Sequence, residues 1–136
     1  AKETAVFFTY NMSMGINLLA TLAKKATAVL GKEFDIEIVE KHHNQKIDAP
    51  SGTALMLADA ICEEIDDNMK YEYDRHSKRE KRSKNEHEII FAGRDEIITL
   101  SHSARSKEIF AVGAVNAAVF MSGKDSGMYS MKDLID

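Results

Sequence analysis

Hydrophobic and polar positions alternate along this chain with periods that change from element to element. Ala5–Tyr10 (AVFFTY) is a short apolar run rich in aromatics and reads as a buried strand. Asn11 and Ser13 follow as natural N-cap residues for a helix over Met14–Leu30. In that helix Ile16, Leu19, Ala23, Ala26 and Leu30 recur at three- and four-residue spacing and line one face. Lys24, Lys25 and Thr27 fall elsewhere on the wheel, and Gly31 stands where a C′ glycine ends a helix. Phe34–Val39 (FDIEIV) alternates apolar with acidic residues, the pattern of a half-buried strand.

After a loop at His42–Gly52, a second helix is expected over Thr53–Ile65, its core stripe formed by Ala54, Leu57, Ala58, Ile61 and Ile65. Glu88–Ala92 and Asp95–Ser101 read as two strands around Gly93–Arg94. A long helix follows over Lys107–Met121, with Ile109, Val112, Asn116 and Val119 along one side and Gly123 as its stop. The tail, Met128–Ile135, holds one more short strand or helix. Strands and helices mix without strict alternation. The fold class expected is α+β (mixed α/β): an open mixed sheet with two long helices and one shorter helix on one face.

Composition narrows the class. At 136 residues the chain is of one-domain length and can build its own core. Eighteen basic against twenty-two acidic side chains leave a net charge of −4, so whole-chain electrostatics offer no attraction to nucleic acid or to an anionic membrane. No apolar run approaches the ~18–20 residues of a membrane span, and the single cysteine, Cys62, suits a reducing compartment, so a cytoplasmic location is expected. Cys62 borders the second helix's stripe and reads as packing. The basic run Arg75–Lys84 (RHSKREKRSK) lacks interleaved aromatics and reads as a solvated loop or a protected edge, not a nucleic-acid site.

The densest chemistry lies in the loop between the second strand and the second helix, from Glu40 to Ala54. His42 and His43 are proton-exchanging groups, and Lys46 adds a fixed cation. Pro50-Ser51-Gly52-Thr53 at a helix start offers a tight turn, a capping hydroxyl and backbone N–H groups, a seat for a carboxylate or phosphate. Each piece alone is more often structural; together they describe two proton-capable groups, a cation and an anion seat within a dozen residues. Metal binding is not expected. Adjacent histidines on extended backbone point apart, and His76, His87 and His102 are scattered in sequence.

The string HHNQKIDAPSGTA, with Thr9–Gly15 upstream and Gly123–Leu134 downstream, resembles the dihydrodipicolinate reductase family, and the likeness runs from about Ala5 to Ile135. That resemblance implies the C-terminal substrate-binding and oligomerisation domain across residues 1–136, with the dinucleotide-binding half absent. It implies NADH or NADPH as cofactor, a small dicarboxylate substrate and a homotetramer. Carried over, His42 is the acid/base residue and Lys46 its cationic partner. His43, Gly52 and Thr53 bind substrate, and Thr9, Tyr10, Asn11 and Met12 form the hinge nearest the nicotinamide. The implied reaction reduces 4-hydroxy-tetrahydrodipicolinate, with loss of water and hydride delivery to C4 of the ring. The family pattern also has a glycine-containing strand with an Arg-Gly-Gly turn, which is missing between Asn85 and Glu88. A reading from another class is a non-enzymatic oligomerisation module that keeps the loop without using it. The open sheet motivates self-association: Ile89, Phe91, Ile97 and Thr99 are candidates for its uncovered face.

Overall fold

The computed structural model describes residues 2–42, 50–65 and 85–136. Two compact units emerge, Ala1–Leu18 with Ser106–Asp136, and Leu19–Arg105. Helix α1 (Met14–Leu30) begins in the first and ends in the second.

The first unit pairs β1 (Ala5–Phe7) with β5 (Gly127–Tyr129) in parallel, Val6 opposite Met128. Helix α3 (Glu108–Met121) and the short α4 (Met131–Ile135) belong to this unit. Phe7 and Tyr129 each meet the Phe120 ring edge-on, at 6.4 and 6.0 Å, so aromatics from both strands pack on α3. The tail expected as one short strand or helix is both, β5 and then α4. The buried positions of α3 are Gly113 and Ala117, whereas Val112 and Val119, expected on the packed side, are more than half exposed. Small residues face inward because the chain comes close: a Cβ at Gly113 would sit 1.7 Å from the Met12 carbonyl oxygen. Apolar periodicity cannot see that constraint, because valines on α3 are as periodic as its small residues.

The second unit holds a three-stranded antiparallel sheet in the order β2–β3–β4, with β2 at Asp35–Lys41, β3 at Asn85–Ala92 and β4 at Ile97–Ala104. The mixed strand directions are thus divided between this sheet and the parallel pair β1–β5. Strand side chains alternate between faces, so the register sorts residues into rows. One face carries the rows Ile36–Phe91–Ile98 and Ile38–Ile89–Leu100. Ile89 and Phe91 are fully buried there, which corrects their assignment to an uncovered face; Ile97 and Thr99 do lie on the open side. Each such burial is worth about 1.5–3 kcal/mol. The open face is polar in part, with Lys41 Nζ 3.7 Å from Glu86 and 3.9 Å from Glu88.

Helix α2 (Gly52–Cys62) packs on β2 and buries Ala54, Leu57, Ala58 and Ile61, as its stripe predicts; Ile65 is buried just beyond its end. Thr27 of α1 is buried too, against expectation. Its hydroxyl donates to the Ala23 carbonyl at 2.8 Å, so the polar atom is satisfied and the methyl can face inward. Lys24 joins α1 to the end of α2 through Glu63 and Glu64. Gly31 adopts φ +64°, the left-handed turn that ends α1. Among the described residues no helix is long and apolar enough to cross a membrane.

Candidate active site

The two apolar rows of the covered face are followed by a polar one, Glu40–His87–His102, with one residue from each strand. Two positions beyond Glu40 and two before His87, His42 and Asn85 share this face by the same period of two. Chain positions far apart therefore meet at one end of the sheet. The loop that leads to α2 leaves from this end, and α2 begins beside it.

Glu40 is the centre of the cluster. Its Oε1 accepts the Ser51 backbone N–H at 2.9 Å, and its Oε2 accepts the Ser51 hydroxyl. His42 Nε2 lies 2.8 Å from Oε2 and His87 Nε2 3.6 Å from it, while Ser51 Oγ is 3.4 Å from His87 Nε2. The two rings meet edge to face, 5.3 Å between centroids. Burial by itself raises the Glu40 carboxyl, but hydrogen bonds from His87, Ser51 and His42 outweigh it and hold the group well below the usual carboxylate range. Glu40 is therefore ionised at neutral pH.

An ionised carboxylate only accepts, so His42 must present Nε2–H to Glu40. Nδ1 is then the nitrogen left for proton exchange. Asn85 Oδ1 stands 3.1 Å from it and can accept an Nδ1 proton as a neutral amide oxygen. His87 is directed at Glu40 in the same way, and its buried Nδ1 finds no partner among the described residues; the same holds for His102 Nδ1. Burial first, and the neighbouring His87 second, push His102 below the ordinary histidine value, so it is neutral near pH 7.

Ser51 carries a second duty. Its backbone is extended and its Oγ accepts the Ala54 N–H at 3.1 Å, capping α2. Gly52 and Thr53 form the first turn, where the N–H groups precede the helix's own ladder and the dipole favours an anion. A Cβ at Gly52 would meet nothing within 4 Å, so bare backbone there reflects no packing demand.

Glu40, His42 and His87 offer three ligand-type atoms within 4.8 Å of one another. Among the described residues, His42 is thus matched with His87 in a set that could face a cation. Protons on the ring nitrogens and the Ser51 hydroxyl account for its spacing.

In the first unit, Thr9–Ser13 is a tightly bonded turn. Thr9 Oγ1 donates to the Asn11 carbonyl at 2.9 Å, Asn11 Oδ1 accepts the Ser13 N–H at 2.8 Å, and Asn17 Nδ2 donates to the carbonyls of Asn11 and Ser13. Tyr10 projects from it, 85% exposed. Of the expected site residues, His42, Gly52 and Thr53 fall around α2's start, and Thr9, Tyr10, Asn11 and Met12 in this turn. His43, Lys46 and the basic run lie outside the described residues. Sequence reasoning gave Glu40, Asn85, His87 and His102 no part, and it treated the histidines as scattered. The available signal was the period-two pairing in Glu40-x-His42 and Asn85-x-His87.

Comparison with known proteins places the chain in a family. A family model described as "Dihydrodipicolinate reductase, C-terminus" matches residues 15–135. The chain belongs to the dihydrodipicolinate reductase family. It is 50% identical to the 4-hydroxy-tetrahydrodipicolinate reductase of Caldanaerobacter subterraneus subsp. tengcongensis, covering 99% of this chain and 59% of that protein. It is 46% identical to the reductase of the same name from Clostridium tetani, covering 100% and 58%. A solved structure, the dipicolinate-bound dihydrodipicolinate reductase from Paenisporosarcina sp. TG-14, shares the fold with a TM-score of 0.73 at 24% identity, over 96% of this chain and 54% of that one. The chain therefore spans somewhat over half the length of these family members. The first alignment runs over 149 positions against 136 residues here, which leaves at least 13 positions without a counterpart in this chain.

Proposed function

We propose that this chain is the substrate-holding, acid/base part of an NADH- or NADPH-dependent 4-hydroxy-tetrahydrodipicolinate reductase. The observation that carries this reading is the joint anchoring of His42 and the α2 start on one ionised carboxylate, inside the string that marks the family. In this reading His42 exchanges its proton at Nδ1, and the first turn of α2, at Gly52 and Thr53, seats one substrate carboxylate. Lys46 and His43 complete the dicarboxylate's binding from the intervening stretch. A solved relative described as dipicolinate-bound makes a small planar dicarboxylate the natural ligand class.

The reduced nicotinamide, when bound, supplies the hydride. The bonded turn at Thr9–Met12 offers fixed backbone and an exposed Tyr10 ring, which fit one edge of such a group. No GxGxxG turn occurs in this sequence, so the pyrophosphate would be held by residues outside it. A cytoplasmic homotetramer is the assembly and location that go with this reading.

Titration of this chain with pyridine-2,6-dicarboxylate, followed by calorimetry, tests the proposal. Binding is expected, and Lys46→Ala should weaken it about tenfold or more, since a charged hydrogen bond is worth ~1.5–3 kcal/mol. An absence of binding at millimolar ligand would refute the anion seat.

A further inference from the structure

We propose that Glu40 is a positioning residue that clasps the acid/base histidine and the anion-binding helix start into one unit, without itself touching the ligand. The inference rests on the functional reading above. His42 directly precedes the stretch 43–49 and Ser51 follows it after Pro50, and both are bonded to Glu40. Oε1 takes the Ser51 N–H, and Oε2 takes the Ser51 hydroxyl and His42 Nε2–H, with His87 Nε2 at 3.6 Å behind them. Three donors thus bond to the two oxygens, with the His87 ring nitrogen close beside them, so most of the carboxylate's accepting capacity is taken up by groups of the protein.

This engagement with protein donors argues against direct ligand contact. A bare carboxylate beside a dicarboxylate site would repel its ligand, whereas this one is spent on protein donors. No other side chain of the same size can replace it. A glutamine has one accepting oxygen; if that oxygen keeps the Ser51 N–H, its NH2 faces His42 Nε2 and favours the opposite tautomer, with the proton on Nδ1 toward Asn85 Oδ1. An aspartate is one methylene too short to reach both partners from the same strand position.

Loosening the clasp should act on two things at once. His42 loses the partner that fixes its tautomer, and the α2 start loses its tie to the strand that carries His42. A carboxylate that merely stabilises the sheet would do neither in a folded variant.

The experiment uses this chain and two readouts, nitrogen-15 spectra of the His42 ring and calorimetric titration with pyridine-2,6-dicarboxylate. In the parent chain the His42 ring should show a single tautomer with Nε2 protonated. In Glu40→Gln the pattern should move away from the Nε2-protonated form and the affinity should fall about tenfold or more, the scale of a lost charge-assisted hydrogen bond. A folded Glu40→Gln that keeps the single tautomer and binds within twofold of the parent overturns the proposal. If that variant does not fold, Ser51→Ala decides: it leaves the Glu40–His42 contact in place, so affinity should fall while the His42 pattern stays unchanged, and undiminished affinity overturns the clasp. Ile61→Val, a destabilising change in the core away from the cluster, should move neither readout, and a shift in both would show that Glu40 acts through stability alone. If the parent chain binds no dicarboxylate, the functional reading fails. The His42 tautomer in Glu40→Gln then still judges the clasp.

Discussion

Ser51→Ala removes one oxygen that serves two elements, and its cost can be worked from the contacts. The residue is fully buried; its Oγ accepts from the Ala54 N–H at 3.1 Å and donates to Glu40. Losing an N-cap hydroxyl costs about 1 kcal/mol. Losing a hydrogen bond to a charged group costs about 1.5–3 kcal/mol. The two losses overlap, because Glu40 keeps the Ser51 backbone N–H at 2.9 Å and His42 Nε2 at 2.8 Å, so the expected total is about 2–3 kcal/mol. With a urea slope of ~1–3 kcal/mol/M, the unfolding midpoint should fall by roughly 1–2 M at unchanged slope. Urea titration followed by circular dichroism measures it. In a Glu40→Gln background the same change should cost less, with a coupling of at least ~0.5 kcal/mol. A loss below about 0.5 kcal/mol in the parent, or strict additivity in the double variant, would refute the account of Glu40 as a shared acceptor.

Other outcomes follow from the same geometry. In a full-length reductase carrying this chain, His42→Gln should lower kcat by roughly 10²–10⁴ with the fold intact, and steady-state rates within threefold of the parent would remove His42 from the mechanism. Gly113→Ala should destabilise the chain by ~3 kcal/mol or more, because its methyl would overlap the Met12 carbonyl, whereas Gly52→Ala should leave the thermal midpoint nearly unchanged; equal midpoints for the two variants would contradict the close approach. Acid should unfold the chain partly through Glu40. The folded carboxyl sits below its ordinary value, so its stabilisation is present above ~4.3 and is lost as pH falls further, and Glu40→Gln should flatten the decline in urea midpoint from about pH 5 downward.

Much of this protein is written in local pattern. Helix α1 runs over Met14–Leu30 as its three- and four-residue spacing predicts, since one turn of helix compares only near neighbours. The α2 core stripe is equally local, whereas the faces of β3 and β4 were not read from pattern: Ile89 and Phe91 lie on the face opposite to Ile97 and Thr99. Val112 and Val119 mark where that kind of reading stops: the inward face of α3 was chosen by the approach of the Met12 backbone, which no pattern within the helix encodes. Thr27 makes the same point on a smaller scale, its hydroxyl satisfied by its own helix and its body free to pack.

The site divides along the same line. His42, Gly52 and Thr53 were legible because they stand close together in one loop, in a string specific enough to mark a family. Glu40, Asn85, His87 and His102 were not, although each is plainly visible as a polar residue in or beside a strand. What turns them into a cluster is the antiparallel register that sets Glu40 opposite His87 and His87 opposite His102. A slip of one residue would send the same side chains to the open face. The sequence by itself determined the elements, the loop chemistry and the family, because these depend on residues within a turn or two of one another. Only the tertiary structure decided that a single half-buried carboxylate would gather both ends of that loop, because register is a property of strands brought together from distant parts of the chain.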